Sequence, residues 1–249
     1  MQFRCPACEH ETVATVLPAG DLRYALCDRC ASYYLNPMPG AGKLEREPER
    51  LTQFLQSLQG AGAAIERQIL RALPKLDSGG IVASDLDLLN APERLSVRQV
   101  RSLAEPGAVP RVDALVLTSF IERVPIPDMA AQWCLEKLKP GGVLVMSTPN
   151  ANFARRVIAA KSSGGNMKNV GLLLKPETRR VVYSATGLRA LLERNGFTKV
   201  RVRSAAPAFT TPDTALTAIL LYLASRAVET VLPRVILSGL LFCTAVREE

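Results

Sequence analysis

Cys134–Asn150 reads CLEKLKPGGVLVMSTPN, and its pattern decides the fold. Met129 to Leu138 carries a helical pattern. Lys139-Pro140-Gly141-Gly142 is a turn, because proline and glycine supply the backbone angles of a tight reversal. Val143 to Ser147 (VLVMS) is a nearly unbroken apolar run, as in a strand buried on both faces. A helix, a turn and a two-sided buried strand in that order point to a sheet covered by helices.

The alternation continues in both directions. Upstream, Val112 to Ser119 (VDALVLTS) is a second buried-strand run, and Ile81 to Asp85 is a short apolar run ending in an acid. Ala63 to Leu73 reads as a helix with Ile65, Ile69, Leu70 and Leu73 on one face, and Pro74 helps end it. Gly60-Ala61-Gly62 is a turn ahead of that helix, while Leu51 to Leu58 suits a strand or a helix equally by periodicity. Downstream, Gly187 to Arg194 is a helix stopped by Asn195-Gly196, and Phe197 to Val202 is a strand with alternating Lys and Arg.

Two apolar stretches follow within 214–246, TALTAILLYLAS and VILSGLLFCTAV, separated by Arg226, Glu229 and Arg234. Each is too short to span a bilayer. They read as a core helix and a terminal strand, and a peripheral membrane contact stays open on amphipathic grounds. The fold class is α/β, with a doubly wound, mostly parallel sheet.

The N-terminus adds a different signal. Cys5-Pro6-Ala7-Cys8 and Cys27-Asp28-Arg29-Cys30 are two CxxC turns. Each brings two thiolates within reach of one ion, and two such turns fill a closed tetrahedral zinc site. The stretch between them has β-branched residues and a Pro-Ala-Gly-Asp turn, which suits a hairpin. A closed four-thiolate site leaves no position for substrate, so this zinc is expected to be structural. A redox dithiol lacks its usual setting, since neither pair opens a helix after a strand. His10, the single histidine, is expected to be a solvated loop residue beside a filled ligand set. The expected division is a zinc-binding ribbon over residues 1–40 and an α/β domain over 41–249, joined by the charged stretch GKLEREPER.

Composition narrows the class. Hydrophobic residues make up 48% and charged residues 22%, which suits a globular chain and argues against disorder. Aromatics are 5% with one Trp, so base stacking on nucleic acid is not advertised despite a net charge of +8. The densest basic group is Arg194, Lys199, Arg201 and Arg203. With paired cysteines and no signal-peptide pattern, a reducing cytoplasm is the expected location.

In order and spacing these elements resemble the S-adenosylmethionine-dependent class I methyltransferases. The resemblance rests on CLEKLKPGGVLVMSTPN, on TGLRALLERNGFTKVRVR (Thr186–Arg203), and on the opening CPAC…CDRC followed by YLNPMP. That opening is similar to the zinc-knuckle prefix of one bacterial subgroup, whose members modify sugars, lipids or other small metabolites. The resemblance implies a seven-stranded Rossmann-like sheet, S-adenosylmethionine as cofactor and a small-molecule substrate. It sets Leu55–Gly62 on the family's glycine motif, with Gly60 and Gly62 approaching the cofactor, and makes Asp85 the acid for the ribose hydroxyls.

Several positions depart from the family. Gln56 stands where the motif has an acid and Leu58 where it has its first glycine, and VRQVRSLA (97–104) lacks the acid expected against adenine. Two family histidines correspond to Arg123 and a position near Arg179. Arginine stays protonated and cannot serve as a general base. No catalytic residue is therefore assigned, and Glu122 and Tyr183 are left as candidates for substrate contact or for a structural role. Three functions fit these observations. One is a methyltransferase acting on a small metabolite, sugar or lipid-linked intermediate. Another is a catalytically degenerate homologue that binds a partner enzyme as a scaffold subunit. The least favoured is a ribosomal-RNA methyltransferase.

Overall fold

The computed structural model describes residues 3–12, 15–39, 63–73, 80–84, 96–99, 110–162, 174–206, 212–232 and 235–248. Two short strands, β1 (Phe3–Arg4) and β2 (Glu11–Thr12), flank the first CxxC turn. The hairpin β3 (Thr15–Ala19) and β4 (Leu22–Leu26) leads into the second, and β5 (Tyr33–Leu35) follows it. Ala19 pairs with Leu22, so the hairpin turns on Gly20-Asp21, with Gly20 at a φ of 64°. The expected hairpin is present, and glycine stands where the left-handed angle is needed.

The α/β part runs in chain order as α1 (Ala63–Ala72), β6 (Ile81–Ser84), β7 (Ser96–Gln99), β8 (Val112–Thr118), α2 (Pro127–Lys137) and β9 (Leu138–Pro149). It continues as α3 (Ala151–Ser162), β10 (Val181–Val182), α4 (Ala185–Arg194), β11 (Phe197–Ser204), α5 (Pro212–Val231) and β12 (Leu240–Arg247). Among the described residues the main sheet has six strands in the order β11-β12-β9-β8-β6-β7. The strands β7, β6, β8 and β9 run parallel, and β12 enters antiparallel to both β9 and β11. The sheet is mostly parallel, with β12 the one strand of opposite direction among the six described. Any seventh strand over residues 51–58 lies outside the described residues.

The two-sided burial read from β8 and β9 has a direct basis in strand geometry, where successive side chains point to opposite faces. Leu115, Leu117, Leu144 and Met146 face one core with Leu188, Leu191 and Cys134. Ala114, Val116 and Val145 face the other with Ile65 and Ile69 of α1. Leu73 is only partly buried against that second core.

Lys139–Gly142 does not separate α2 from the strand as the sequence pattern predicts. The strand begins at Leu138, which pairs with Val112, and pairing resumes at Val143 with Ala114. The four residues therefore bulge out of a strand already begun. Gly141 takes a φ of 74°, and a Cβ on Gly142 would lie 2.7 Å from the Lys139 carbonyl oxygen. Lys139 Nζ holds the bulge through both Asp113 carboxylate oxygens at 2.9 Å, and Asp113 also accepts the Ile81 amide at 2.8 Å.

The ribbon and the α/β part share structure. β10 pairs antiparallel with β5, giving a second sheet in the order β10-β5-β4-β3. Tyr24, Tyr33 and Leu35 pack with Val182, Leu174 and Ile158. The expected terminal helix and strand are α5 and β12, and no helix among the described residues is long and apolar enough to cross a membrane.

Candidate metal centre and the carboxyl edge of the sheet

The four cysteines of the two knuckles converge. Their sulfur atoms all lie within 4.8 Å of one another. Cys5 Sγ is 3.7 Å from Cys30 Sγ, and Cys8 Sγ is 3.6 Å from Cys27 Sγ. A tetrahedral zinc with Zn–S bonds of about 2.3 Å sets its sulfurs about 3.8 Å apart, so the donor set and its dimensions fit zinc.

The two knuckles repeat one backbone design. Cys5 N–H donates to His10 O and Glu9 N–H to Cys5 O, while Cys27 N–H donates to Ser32 O and Ala31 N–H to Cys27 O. Glu9 and Ala31, each following the second cysteine of its pair, take left-handed φ values of 60° and 58°. The thiols crowd one another: the hydrogen bond from Cys5 pulls Cys30 down to about 5, and the same bond pushes Cys5 up. A dication that accepts all four sulfurs as thiolates removes that conflict. His10 stands aside at the surface, 3.5 Å from Asp28.

Helix α4 carries this centre. Ser184 is its N-cap and accepts the Gly187 amide at 2.9 Å. The Ser184 hydroxyl also donates to the Cys30 carbonyl, and its amide donates to Ser32 Oγ at 3.1 Å. A Cβ on Gly187 would lie 2.2 Å from Ser32 Oγ and 3.2 Å from Cys30 Sγ, so only glycine lets the second knuckle sit this close. The positive end of the helix dipole then faces the thiolates, which favours their charge.

At the other end of α4, Arg194 donates to the Pro6 and Ala7 carbonyls and to both oxygens of Asp128. Asn195 donates to Asp128 at 2.7 Å. Burial works to raise the Asp128 carboxyl, but these donors hold it below the usual carboxylate range.

A buried polar group lies beyond the ends of β8 and β9. Glu122 is fully buried, accepts Thr148 Oγ1 at 3.0 Å through Oε2, and has no hydrogen-bond partner for Oε1 among the described residues. Burial pushes its carboxyl up, against the opposing pull of Arg179 and Arg123. Burial pulls Arg179 down, opposed by Glu122. Tyr183 is also fully buried, and burial raises its hydroxyl well above the ordinary value. Tyr24 of the ribbon donates to the Arg179 carbonyl at 2.5 Å, tying the ribbon to this cluster.

Glu122, Arg123, Arg179 and Tyr183 therefore meet in one place, with Glu122 and Tyr183 fully buried and the two arginines partly so. Gly60, Gly62 and Asp85 lie outside the described residues, as do Gln56 and Leu58. Gly62 immediately precedes α1 in the chain, and Asp85 immediately follows the fully buried Ser84 at the carboxyl end of β6. Ser184, Gly187 and Arg194 escaped the sequence reading as supports of the metal centre. Ser184-Ala185-Thr186-Gly187 does resemble a helix start, but nothing local reveals that a knuckle about 155 residues upstream would dock on it.

The family model described as a methyltransferase domain matches residues 47–202. No curated protein matches the chain. Among solved structures, the chain is similar to a Haemonchus contortus phosphoethanolamine N-methyltransferase 2, at 8% identity and a TM-score of 0.49, covering 94% of this chain and 72% of that one. It is similar to a chain from the complex between the Haloferax volcanii Trm112 methyltransferase activator and a methyltransferase, at 13% identity and a TM-score of 0.47, covering 80% and 96%. It is also similar to a SAM-dependent methyltransferase from Archaeoglobus fulgidus, at 13% identity and a TM-score of 0.44, covering 79% and 99%. The family match runs from ahead of α1 into β11 and takes in more than half of the chain, which belongs to the methyltransferase domain family.

Proposed function

We propose that the chain is an S-adenosylmethionine-dependent methyltransferase of the zinc-knuckle subgroup, acting on a small metabolite, sugar or lipid-linked intermediate. The observation that carries this reading is the family match across residues 47–202, which takes in both Gly60-Ala61-Gly62 and Asp85. A glycine turn leading into a helix and an acid following a parallel strand suit a nucleoside-bearing cofactor at the carboxyl edge of an open sheet. On this reading Gly60 and Gly62 let the backbone approach the cofactor, and Asp85 accepts hydrogen bonds from its ribose. When bound, the cofactor supplies a sulfonium-activated methyl group. Cys5, Cys8, Cys27 and Cys30 hold a structural zinc that takes no part in transfer. The ribbon, residues 1–40, and the methyltransferase-like domain, residues 41–249, act as one body.

The chain's own residues narrow the acceptor. Arg123 and Arg179 replace bases, and Glu122 is enclosed with Thr148. The protein then contributes position rather than proton abstraction. The favoured acceptor is a group that is already deprotonated or strongly nucleophilic in water.

A second reading is favoured by Gln56 and Leu58 at positions that would face the cofactor. It makes the chain a degenerate homologue that supports a partner enzyme. Binding of radiolabelled S-adenosylmethionine to the zinc-loaded chain separates the two. The enzyme reading expects saturable binding that Asp85→Ala weakens by about tenfold, the effect of one lost charged hydrogen bond. Absence of saturable binding by folded, zinc-loaded protein would sink it and leave the scaffold reading.

A further inference from the structure

At the β11 edge of the main sheet, a cavity of about 620 Å³ opens between α1, β11, β12 and α5. Five arginines from three elements line it, and among the described residues no acidic residue does. Arg67 and Arg71 are four apart on α1 and so share a helix face. Arg201 and Arg203 are two apart on β11 and share a strand face, while Val202 between them is buried on the other side. Arg226 of α5 completes the set.

The floor is built by register. Arg203 pairs with Phe242 and Arg201 with Thr244 on β12, and both β12 residues line the cavity. Glu229, one turn after Arg226 on α5, is already engaged. It accepts Arg226 Nη1 at 2.8 Å and the Ser204 amide at 2.9 Å, and also the Ser204 hydroxyl. Among the described residues no carboxylate pairs with Arg71, Arg201 or Arg203. Like charges held this close disfavour the fold unless an anion joins them.

An apolar surface lies beside the arginines. Tyr222 and Leu223 of α5 line the cavity, and Leu223 is 55% exposed. Leu220, one turn earlier on the same helix, is 56% exposed and continues that surface outward. Planar guanidinium forks match phosphate oxygens in pairs, which a single lysine cannot do. We propose that this cavity binds a phosphate-bearing amphiphile, its phosphate held by Arg71, Arg201 and Arg203 and its apolar part lying along Tyr222 and Leu223. The site at the β11 edge is argued from its own lining and does not rest on the proposed cofactor binding.

The test uses the zinc-loaded full chain and two phosphate sources. Inorganic pyrophosphate is titrated by calorimetry, and phosphatidylcholine vesicles with and without phosphatidic acid are tested by co-sedimentation. Saturable pyrophosphate binding supports the site and points to a soluble phosphorylated ligand. Retention only on vesicles containing phosphatidic acid supports it and points to a lipid headgroup.

The variant R201Q/R203Q is expected to lose about tenfold or more of either affinity, and R71Q alone to lose part of it. R156Q/R189Q removes the same charge elsewhere and is expected to change little. Failure of the wild type to bind either source overturns the proposal, and so does equal loss in R156Q/R189Q. Binding of a structured RNA that R201Q/R203Q abolishes, with no response to pyrophosphate or vesicles, overturns it in favour of a polynucleotide surface. R71Q lies on an exposed helix face and keeps the question answerable if the double variant fails to fold.

Discussion

Gly187 carries an unusual load for a residue in a helix. On propensity alone, glycine to alanine should stabilise α4 by up to about 1 kcal/mol. Here the added Cβ meets Ser32 Oγ at 2.2 Å and the Cys30 sulfur of the four-cysteine cluster at 3.2 Å. Gly187→Ala is therefore expected to destabilise by about 1–3 kcal/mol, the range for forced overpacking. It should also speed zinc loss to a chelator. An unchanged melting temperature with unchanged release would contradict the docking of the knuckle on α4.

Glu122 gives a second test at this scale. Its folded carboxyl is held above the unfolded value, so the native state keeps a proton that the unfolded chain loses. Stability from this group falls as pH rises above the unfolded value of about 4.3 toward the folded one. Glu122→Gln removes that slope. Melting temperatures at pH 5.5 and pH 8 should differ less in the variant than in the wild type, and zinc ligation, common to both, cancels in the comparison. An equal pH difference in the two proteins would mean that Glu122 does not titrate across this range and would contradict a raised carboxyl.

The residues behind these tests were unequally legible. Cys5, Cys8, Cys27 and Cys30 declare themselves by spacing, because a four-thiolate site needs two short turns. Glu122 does not, because its surroundings come from Thr148 and from the segment around Arg179–Val181, far away in the chain.

Among the elements, local pattern decided more. β8, β9, α4 and β11 follow from apolar runs and helical spacing, since each buries a face whose period is written in its own residues. β10 was not foreseen, because two residues carry no period and its partner β5 belongs to the ribbon. Lys139–Gly142 reads locally as the break before the strand, whereas pairing of Leu138 with Val112 starts the strand earlier. The end of α4 is fixed from outside as well, by Asp128 on α2. That carboxyl is depressed in the fold, so its contribution is present above the unfolded value near 3.9 and is lost as pH falls through the folded one. Asp128→Asn should lower the urea midpoint at pH 7, and the gap from wild type should close below about pH 4. A gap that persists unchanged in acid would assign the effect to packing instead of charge.

For the whole molecule, the ribbon and the α/β part are joined through a shared sheet and core. Cys5, Cys27 and Cys30 belong to the same buried cluster as Leu188, Leu191 and Tyr183. Stripping zinc should then lower one cooperative transition for the entire chain, by roughly 10 °C for a loss of several kcal/mol. Two separate transitions, with the larger one unmoved, would mean the ribbon is a detachable module.

On the proposed function, the chain binds S-adenosylmethionine despite Gln56 and Leu58. Titration calorimetry of the zinc-loaded chain with S-adenosylmethionine tests it most directly. A saturable heat with one cofactor per chain is expected. A flat titration at millimolar cofactor, from protein shown to be folded and zinc-loaded, would contradict it.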